Sequence, residues 1–355
     1  MKRRAQILGT GLIGGSIGLA LRAAGWHVSG FDNNAQECKA ALSKGCIDVI
    51  GDDLDASLVF VAVPAAVTAA VVLDALAQRV DNPGVIVSDV AGVKGDICEA
   101  VSDERFIGGH PMAGSEQHGV AGAREDLFLS TTWVLTPRQN TSPDRFADLM
   151  SVILEIGASV IALEAHDHDR LVALISHVPH LVAASLMNEA AVAAESDAAL
   201  LQLAAGGFRD MTRIAAGHPG IWPDVCFANA TAILKGLGDL TDRLAMLSEA
   251  IAQRDRAALT TVLSSASVSR RALPVRTSDP DLLSQVRIPV PDRPGVIAEV
   301  ATAASELGVS MVDLEIAHSI EGGSGVLIVV VNRVEVDRFQ QGLRAIGFSS
   351  TTQVL

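Results

Sequence analysis

The sequence predicts an α/β domain built on a parallel sheet, then an all-α domain, then a small βαββαβ unit. Three observations carry that prediction. Up to about residue 165, short apolar strands alternate with helical patterns. From His166 to about Arg271 the strand signals vanish, and Ala, Leu and Val recur at helical spacing. Beyond Ala272–Pro280, a stretch rich in Pro, Thr, Ser and Asp, strand and helix signals follow in the order β-α-β-β-α-β. The expected domains are therefore residues 1–165 and 166–271, a linker 272–283, and a C-terminal domain 284–355.

Along the first domain, strands are predicted at Ala5–Leu8, His27–Phe31, Leu58–Val63, Val85–Val90 and Phe106–His110, with helices at Ile13–Ala24 and Ala35–Ser43. Apolar strands linked by helices imply a parallel sheet covered on both faces. In the second domain Leu181, Ala184, Ser185 and Met187, then Leu237, Leu240, Leu244 and Leu247, sit at helical spacing. Its many alanines favour close helix packing, which suits a homodimer interface as well as intrachain packing. The third domain is expected to place strands at Val286–Val290, Met311–His318, Val326–Val331 and Phe348–Val354 and helices at Gly295–Leu307 and Val336–Ile346, with a Gly-rich turn at Glu321–Gly325. That order is the ferredoxin-like one.

Composition narrows the function. Apolar residues make up 49% of the 355, enough to fill a sizeable core, and the formal charge is −14. So acidic a chain is a poor general binder of nucleic acid or of anionic membrane, and neither is expected as a partner. Any basic residue in an anion site gains weight against that background. The N-terminus holds no signal-peptide core, and the cysteines Cys38, Cys46, Cys98 and Cys226 form no CxxC pair. They read as reduced thiols of a cytoplasmic protein.

Gly9-Thr10-Gly11-Leu12-Ile13-Gly14 lies between a predicted strand and a predicted helix. Gly9 permits the tight turn, Gly11 lets a pyrophosphate approach the backbone, and Gly14 lets helix and strand pack closely. Asp32 stands at the end of the second strand, where a carboxylate bonds a ribose 2′-hydroxyl and repels a 2′-phosphate. The first domain is thus read as Rossmann-type and its cofactor as NAD. His110 ends a later strand inside Gly108–Glu116, where open parallel sheets meet their ligands, and is placed to accept a proton near the nicotinamide. His166, His168, His177 and His180 have spacings reminiscent of metal ligands, but His166 and His168 would point about 200° apart on a helix, and no metal is expected. Glu164 to Asp169 reads as the cap of a long helix.

GLIGGS (Gly11–Ser16), VAVP (Val61–Pro64), SDVAGVKG (Ser88–Gly95), GGHPMAGSE (Gly108–Glu116), SHVPH (Ser176–His180) and FRDMTRIA (Phe208–Ala215), with Trp222 beyond, resemble the motifs of the prephenate/arogenate dehydrogenase family, in the family's order and over nearly the whole chain. The resemblance implies NAD-dependent oxidative decarboxylation of prephenate to 4-hydroxyphenylpyruvate in tyrosine biosynthesis, with arogenate as the alternative substrate. It implies that His110 takes the proton of the ring hydroxyl and that Arg213 binds the substrate carboxylate. His180, Trp222, Glu116 and Ser115 would line the pocket, and Arg209 and Asp210 would shape or gate it. Leu12, Ile13, Val63 and Pro64 fall in its cofactor-binding motifs. One position departs: Gly92 stands where many members carry a serine that touches the histidine, so a water or Ser115 would have to replace that hydroxyl. The C-terminal unit resembles an ACT domain through Pro291–Val296, which implies an aromatic amino-acid effector, tyrosine first, held by Asp292 and Gly295. A β-hydroxyacid dehydrogenase would need a helix lysine followed by Asn, which Lys235 lacks; a non-enzymatic amino-acid-responsive regulator would not need the nucleotide motif or His110.

Overall fold

The computed structural model describes residues 3–114, 117, 119–197, 199–217, 219–272, 283–291, 293–318 and 324–354. Contacts divide the chain into two compact units, Met1–Ala198 with Met211–Leu244, and Ala199–Asp210 with Ala245–Leu355.

The first unit is built on an eight-stranded sheet. Its strands are β1 (Arg4–Leu8), β2 (His27–Phe31), β3 (Val49–Ile50), β4 (Leu58–Val61), β5 (Ile86–Asp89), β6 (Phe106–Pro111), β7 (Thr132–Thr136) and β8 (Ser159–Ala162), in the order β3-β2-β1-β4-β5-β6-β7-β8. Helices α1 (Leu12–Ala23), α2 (Ala35–Lys44), α3 (Ala65–Ala77), α4 (Gly95–Ala100) and α5 (Pro143–Glu155) alternate with them. Every residue of β4 and β5 is buried, as strands covered on both faces must be. Local chemistry sets the helix ends. Asn34 caps α2 by accepting from the Gln36 amide, and Pro143 opens α5 with its φ already helical.

The sheet is not parallel throughout. β6 and β7 pair antiparallel, and β7 and β8 pair parallel to each other. Among the described residues, the connection from β6 to β7 contains only a short 3₁₀ turn at Val120–Gly122. With no crossover helix to carry the chain back, it reverses direction. That connection, not strand composition, is why the sheet is mixed.

After β8 the chain is helical. α6 (Ala165–Val172) runs through a π-helical turn, Ala173–His177, into α7 (Val178–Ser196). Then come α8 (Gly206–Thr212), a 3₁₀ turn Arg213–Ala216, α9 (Trp222–Ala228), α10 (Ala230–Ala252) and α11 (Arg256–Arg271). Glu164 caps α6 by accepting from the His166 and Asp167 amides, as its place before a helix suggests. The expected linker falls, over residues 273–282, outside the described residues.

The C-terminal strands and helices are β9 (Leu283–Pro291), α12 (Val296–Glu306), β10 (Met311–His318), β11 (Ser324–Asn332), α13 (Val336–Ala345) and β12 (Thr351–Val354). The strands pair antiparallel in the order β10-β11-β9-β12, the ferredoxin-like arrangement. Val286, Ile288, Val300, Leu327, Val329, Phe339 and Leu343 fill a core between sheet and helices. The βαββαβ order read from the sequence is thereby found; most of the expected Gly-rich turn lies outside the described residues.

Candidate active site

Strand register brings the sequence motifs to one edge of the sheet. Leu8 pairs with Phe31 and with Val61, so Gly9, Asp32 and Ala62 follow side by side. This is the switch point of the sheet, where α1 and α3 leave in different directions and a crevice opens. Gly9 has φ +93°, and a Cβ there would lie 2.3 Å from the Ala62 carbonyl oxygen. A Cβ on Gly14 would lie 1.9 Å from the Gly9 carbonyl oxygen, whereas one on Gly11 would meet nothing within 4 Å. Two glycines are thus demanded by packing, and the third faces open space, which is the cradle a pyrophosphate needs. The Asp32 carboxylate accepts from the Thr10 amide at 2.8 Å and from the Asn34 amide at 2.9 Å, which ties it to the glycine loop. Leu12, Ile13 and Val63 are half-buried around the loop, and Pro64 starts α3. These residues fit a dinucleotide.

His110 stands near the end of β6. Because Ser88 pairs with Ile107, it lies level with the segment that follows β5. Its Nδ1 is 2.8 Å from Nε2 of His168, and His168 Nδ1 is 2.8 Å from Asp169 Oδ1. Asp169 in turn accepts from the Lys94 amide at 2.8 Å and the Gly95 amide at 2.7 Å. The Lys94 ammonium is fully buried and bonded to the equally buried Asp89, whose other oxygen accepts from the Gly109 amide at 3.1 Å, beside His110. On the far side of the ring, a Cβ added to Gly92 would lie 3.7 Å from His110 Nε2. A serine there would reach that nitrogen; with glycine, Nε2 has no hydrogen-bond partner among the described residues.

A second cluster adjoins the first. Asn229 donates to the Asp169 carbonyl at 2.8 Å and lies 3.3 Å from His177 Nδ1. Trp222 packs edge-on to His177 and stacks flat on His180, with ring centroids 3.6 Å apart. In an unbroken α-helix, His168 and His177 would face about 180° apart. The π turn between them under-winds the helix, a device common at functional sites. His180 and Trp222, chosen from sequence, are thus joined to the His110 cluster through His177 and Asn229.

Burial disfavours the charged form of three of these rings, His110, His177 and His180. Burial pushes His110 well below its ordinary value, and neighbouring His168, Lys94 and His177 push it further down. Burial brings His177 down to about 4, with Asp169 opposing and His168 assisting. Burial also lowers His180. For Asp169, burial raises the carboxyl, but the bonds from His168, Gly95 and Lys94 outweigh it and hold it below the usual range. The His177 shift has a consequence for stability. Between about pH 6.5 and pH 4 the unfolded chain binds a proton that the folded site refuses, so stability falls as pH falls through that window. Full expression amounts to on the order of 3 kcal/mol. Urea denaturation should show a lower midpoint at pH 5 than at pH 7, and His177→Gln should flatten the difference; equal midpoints for the parent protein would refute the assignment.

The remaining expected residues are distributed as follows. Arg213 is exposed on the 3₁₀ turn that packs against α7, the helix of His180. Arg209 and Asp210 are exposed on α8, in the second unit, and Arg209 Nε donates to the Ala204 carbonyl. Ser115, Glu116 and Asp292 lie outside the described residues. Sequence reasoning missed His168 and Asp169 as partners of His110. It treated the His-Asp pairs as helix-capping or metal-like spacing, although Glu164 alone makes the cap. The available signal was that a second His-Asp pair follows a cap already complete.

A switch-point cradle for a dinucleotide, with a neutral histidine at a neighbouring strand end, defines a dinucleotide-dependent dehydrogenase. Residues 17–162 match the prephenate dehydrogenase nucleotide-binding domain, and residues 164–265 match the prephenate dehydrogenase dimerization domain. The chain is 32% identical over 340 residues to prephenate dehydrogenase of Bacillus subtilis, which covers 92% of this chain and 91% of that one. Among solved structures it is similar to Synechocystis arogenate dehydrogenase, with 32% identity, a TM-score of 0.65, and coverage of 76% of this chain and 99% of that chain. It is also similar to prephenate dehydrogenase from A. aeolicus in complex with hydroxyphenyl propionate and NAD+, with 26% identity, a TM-score of 0.71, and coverage of 77% and 99%. The chain belongs to the prephenate dehydrogenase family.

Proposed function

We propose that this chain is an NAD-dependent prephenate dehydrogenase that converts prephenate to 4-hydroxyphenylpyruvate. The observation that carries this reading is the position of His110: neutral, at the nucleotide edge of the sheet, with Nε2 open. Bound NAD supplies the hydride acceptor. Gly9, Gly11 and Gly14, with Leu12 and Ile13, would hold its pyrophosphate, Asp32 its ribose hydroxyls, and Val63 and Pro64 would flank it. As the hydroxyl-bearing ring carbon loses hydride, His110 Nε2 takes the hydroxyl proton. Loss of the ring carboxylate as carbon dioxide sends its bonding electrons into the ring. The resulting phenolate oxygen takes the proton back from His110, so the site needs no exit for it. Arg213 would hold a substrate carboxylate, and the His180–Trp222 stack would form an apolar wall beside the ring. Ser115 and Glu116 would complete the pocket.

Similarity at 32% identity to an arogenate dehydrogenase favours arogenate as a second reading. An NADH absorbance assay with both substrates, run with NAD and with NADP, decides between them and tests the whole assignment. Prephenate with NAD should be the best pair. Asp32→Ala should narrow the preference for NAD, because the carboxylate no longer repels a 2′-phosphate. Equal use of NADP by the parent enzyme would remove that role from Asp32.

The enzyme is read as a cytoplasmic homodimer, in keeping with its free cysteines. Exposed Leu174, Ile175 and Leu234 on the helices of the first unit would be covered by a second copy. The C-terminal unit is proposed to be an ACT domain that binds an aromatic amino acid. A cavity of about 500 Å³ lies beside Gly295, which has φ +90° and precedes α12. Arg293, one of its lining residues, is held by a bidentate pair with Glu299 at 2.7 Å. Gly295 would admit the ligand backbone, and Asp292 would meet its ammonium group. Calorimetry of the intact protein should show heat with tyrosine, and more weakly with phenylalanine. No heat and no rate change with tyrosine, phenylalanine or tryptophan would leave the unit as an assembly element.

A further inference from the structure

We infer that His168 and Asp169 are positioning residues that hold His110 in the one tautomer able to act as a base and stabilise the charge it acquires. The inference rests on the dehydrogenase reading above for what the base does, but its geometry stands alone.

The hydrogen bonds dictate the tautomers in sequence. Asp169 is anchored from two sides by main-chain amides, at 2.8 Å from Lys94 and 2.7 Å from Gly95. It has acceptor capacity only, so His168 must present Nδ1–H to it at 2.8 Å. A neutral His168 then has a lone pair on Nε2, and that lone pair faces His110 Nδ1 at 2.8 Å. His110 must therefore carry its own proton on Nδ1. Its Nε2 is left as a lone pair on the side of Gly92, where no hydrogen-bond partner stands among the described residues. A free imidazole prefers the opposite form, with the proton on Nε2, which offers a substrate hydroxyl nothing to accept its proton. The chain of contacts overrides that preference.

The same chain serves the charged state. When Nε2 takes a proton, His110 becomes an imidazolium whose Nδ1–H already points at His168. The groups facing His110 are otherwise ill suited to a cation: Lys94 is positive, and Lys94, His168 and His177 all disfavour a charge on the ring. Lys94 is neutralised by buried Asp89, and Asp169, behind His168, is a negative charge aligned with the new positive one. An orienting carboxylate behind a catalytic imidazole is the logic of the serine-protease triad. Here a second imidazole is interposed. His168 is fully buried on α6, in the Rossmann-to-helical transition, so its position is set by packing rather than by substrate.

The test uses the full-length enzyme with NAD. Long-range ¹H–¹⁵N correlation spectra should show His110 protonated on Nδ1 in the parent enzyme. His168→Phe, which keeps a flat ring but offers no acceptor, should show the Nε2–H form and lose about 10²-fold in kcat with KM little changed. His168→Gln, whose amide oxygen can again accept from His110, should recover about tenfold or more of that loss. Asp169→Asn should lower kcat and move the acid limb of the kcat/KM profile to lower pH, because the imidazolium has lost its counter-charge. A parent enzyme with His110 as the Nε2–H form, a His168→Phe enzyme of normal kcat, or a glutamine variant as poor as the phenylalanine variant would each overturn the inference. If His168→Phe fails to fold, the parent spectrum and the Asp169→Asn profile decide. A parent enzyme inactive on both substrates would refute the dehydrogenase reading instead, while the spectrum of His110 would still judge the relay.

Discussion

His110→Ala should lower kcat by about 10²- to 10⁴-fold, the range expected when a positioned acid–base group is removed. Hydride cannot leave the ring carbon without charge building on the hydroxyl oxygen unless its proton departs in step. His110 Nε2 has no hydrogen-bond partner among the described residues, and burial pushes the ring well below the ordinary histidine range. Alanine leaves a gap beside Gly92 in which a water must serve as a much weaker base. NAD binding should survive, since the Gly9–Gly14 loop and Asp32 bond one another and not His110. Steady-state kinetics with a parallel NAD titration checks both halves. Near-normal turnover would take His110 out of the chemistry.

Arg213→Ala should raise KM much more than it lowers kcat. A bidentate guanidinium–carboxylate contact exists in ground and transition states alike, so its loss appears as uniform binding. The cost should be on the order of 2 to 5 kcal/mol, because the substrate carboxylate is left unpaired. The net charge of −14 enlarges the effect, as the average field repels an anionic substrate. Arg213→Lys should recover only part of the loss, since an ammonium lacks the fork. An unchanged KM in the alanine variant would return Arg213 to an ordinary place on the surface of its 3₁₀ turn.

Parts of this molecule are local in the chain, and those parts were legible. The glycine loop, its flanking strand and helix, and Asp32 lie within a single βαβ stretch; the close approach that demands Gly14 is to the backbone there, whereas Gly9 also meets Ala62 from a later strand. Helix and strand periods likewise disclose the βαββαβ order of the C-terminal unit, with Met311–His318 matching to the residue. Strand direction was less legible. The apolar runs of β6 and β7 look alike whether parallel or antiparallel, and among the described residues the connection that reverses the chain holds a 3₁₀ turn in place of a crossover helix.

His110 could be singled out from sequence as a candidate, as could His180 and Trp222 through the family motifs, but their contacts could not. His110 and His168 are 58 positions apart, and Asp169 meets amides 74 and 75 positions away. No local period encodes such contacts. His-Asp-His-Asp reads the same whether its members cap a helix, bind a metal or orient a base. Sequence by itself determined the nucleotide cradle and the order of elements, and it singled out His110 as the proposed base. Tertiary structure decided which nitrogen of that base is free, because a tautomer is set by hydrogen-bond partners, and these are brought together only when β6, α4 and α6 pack.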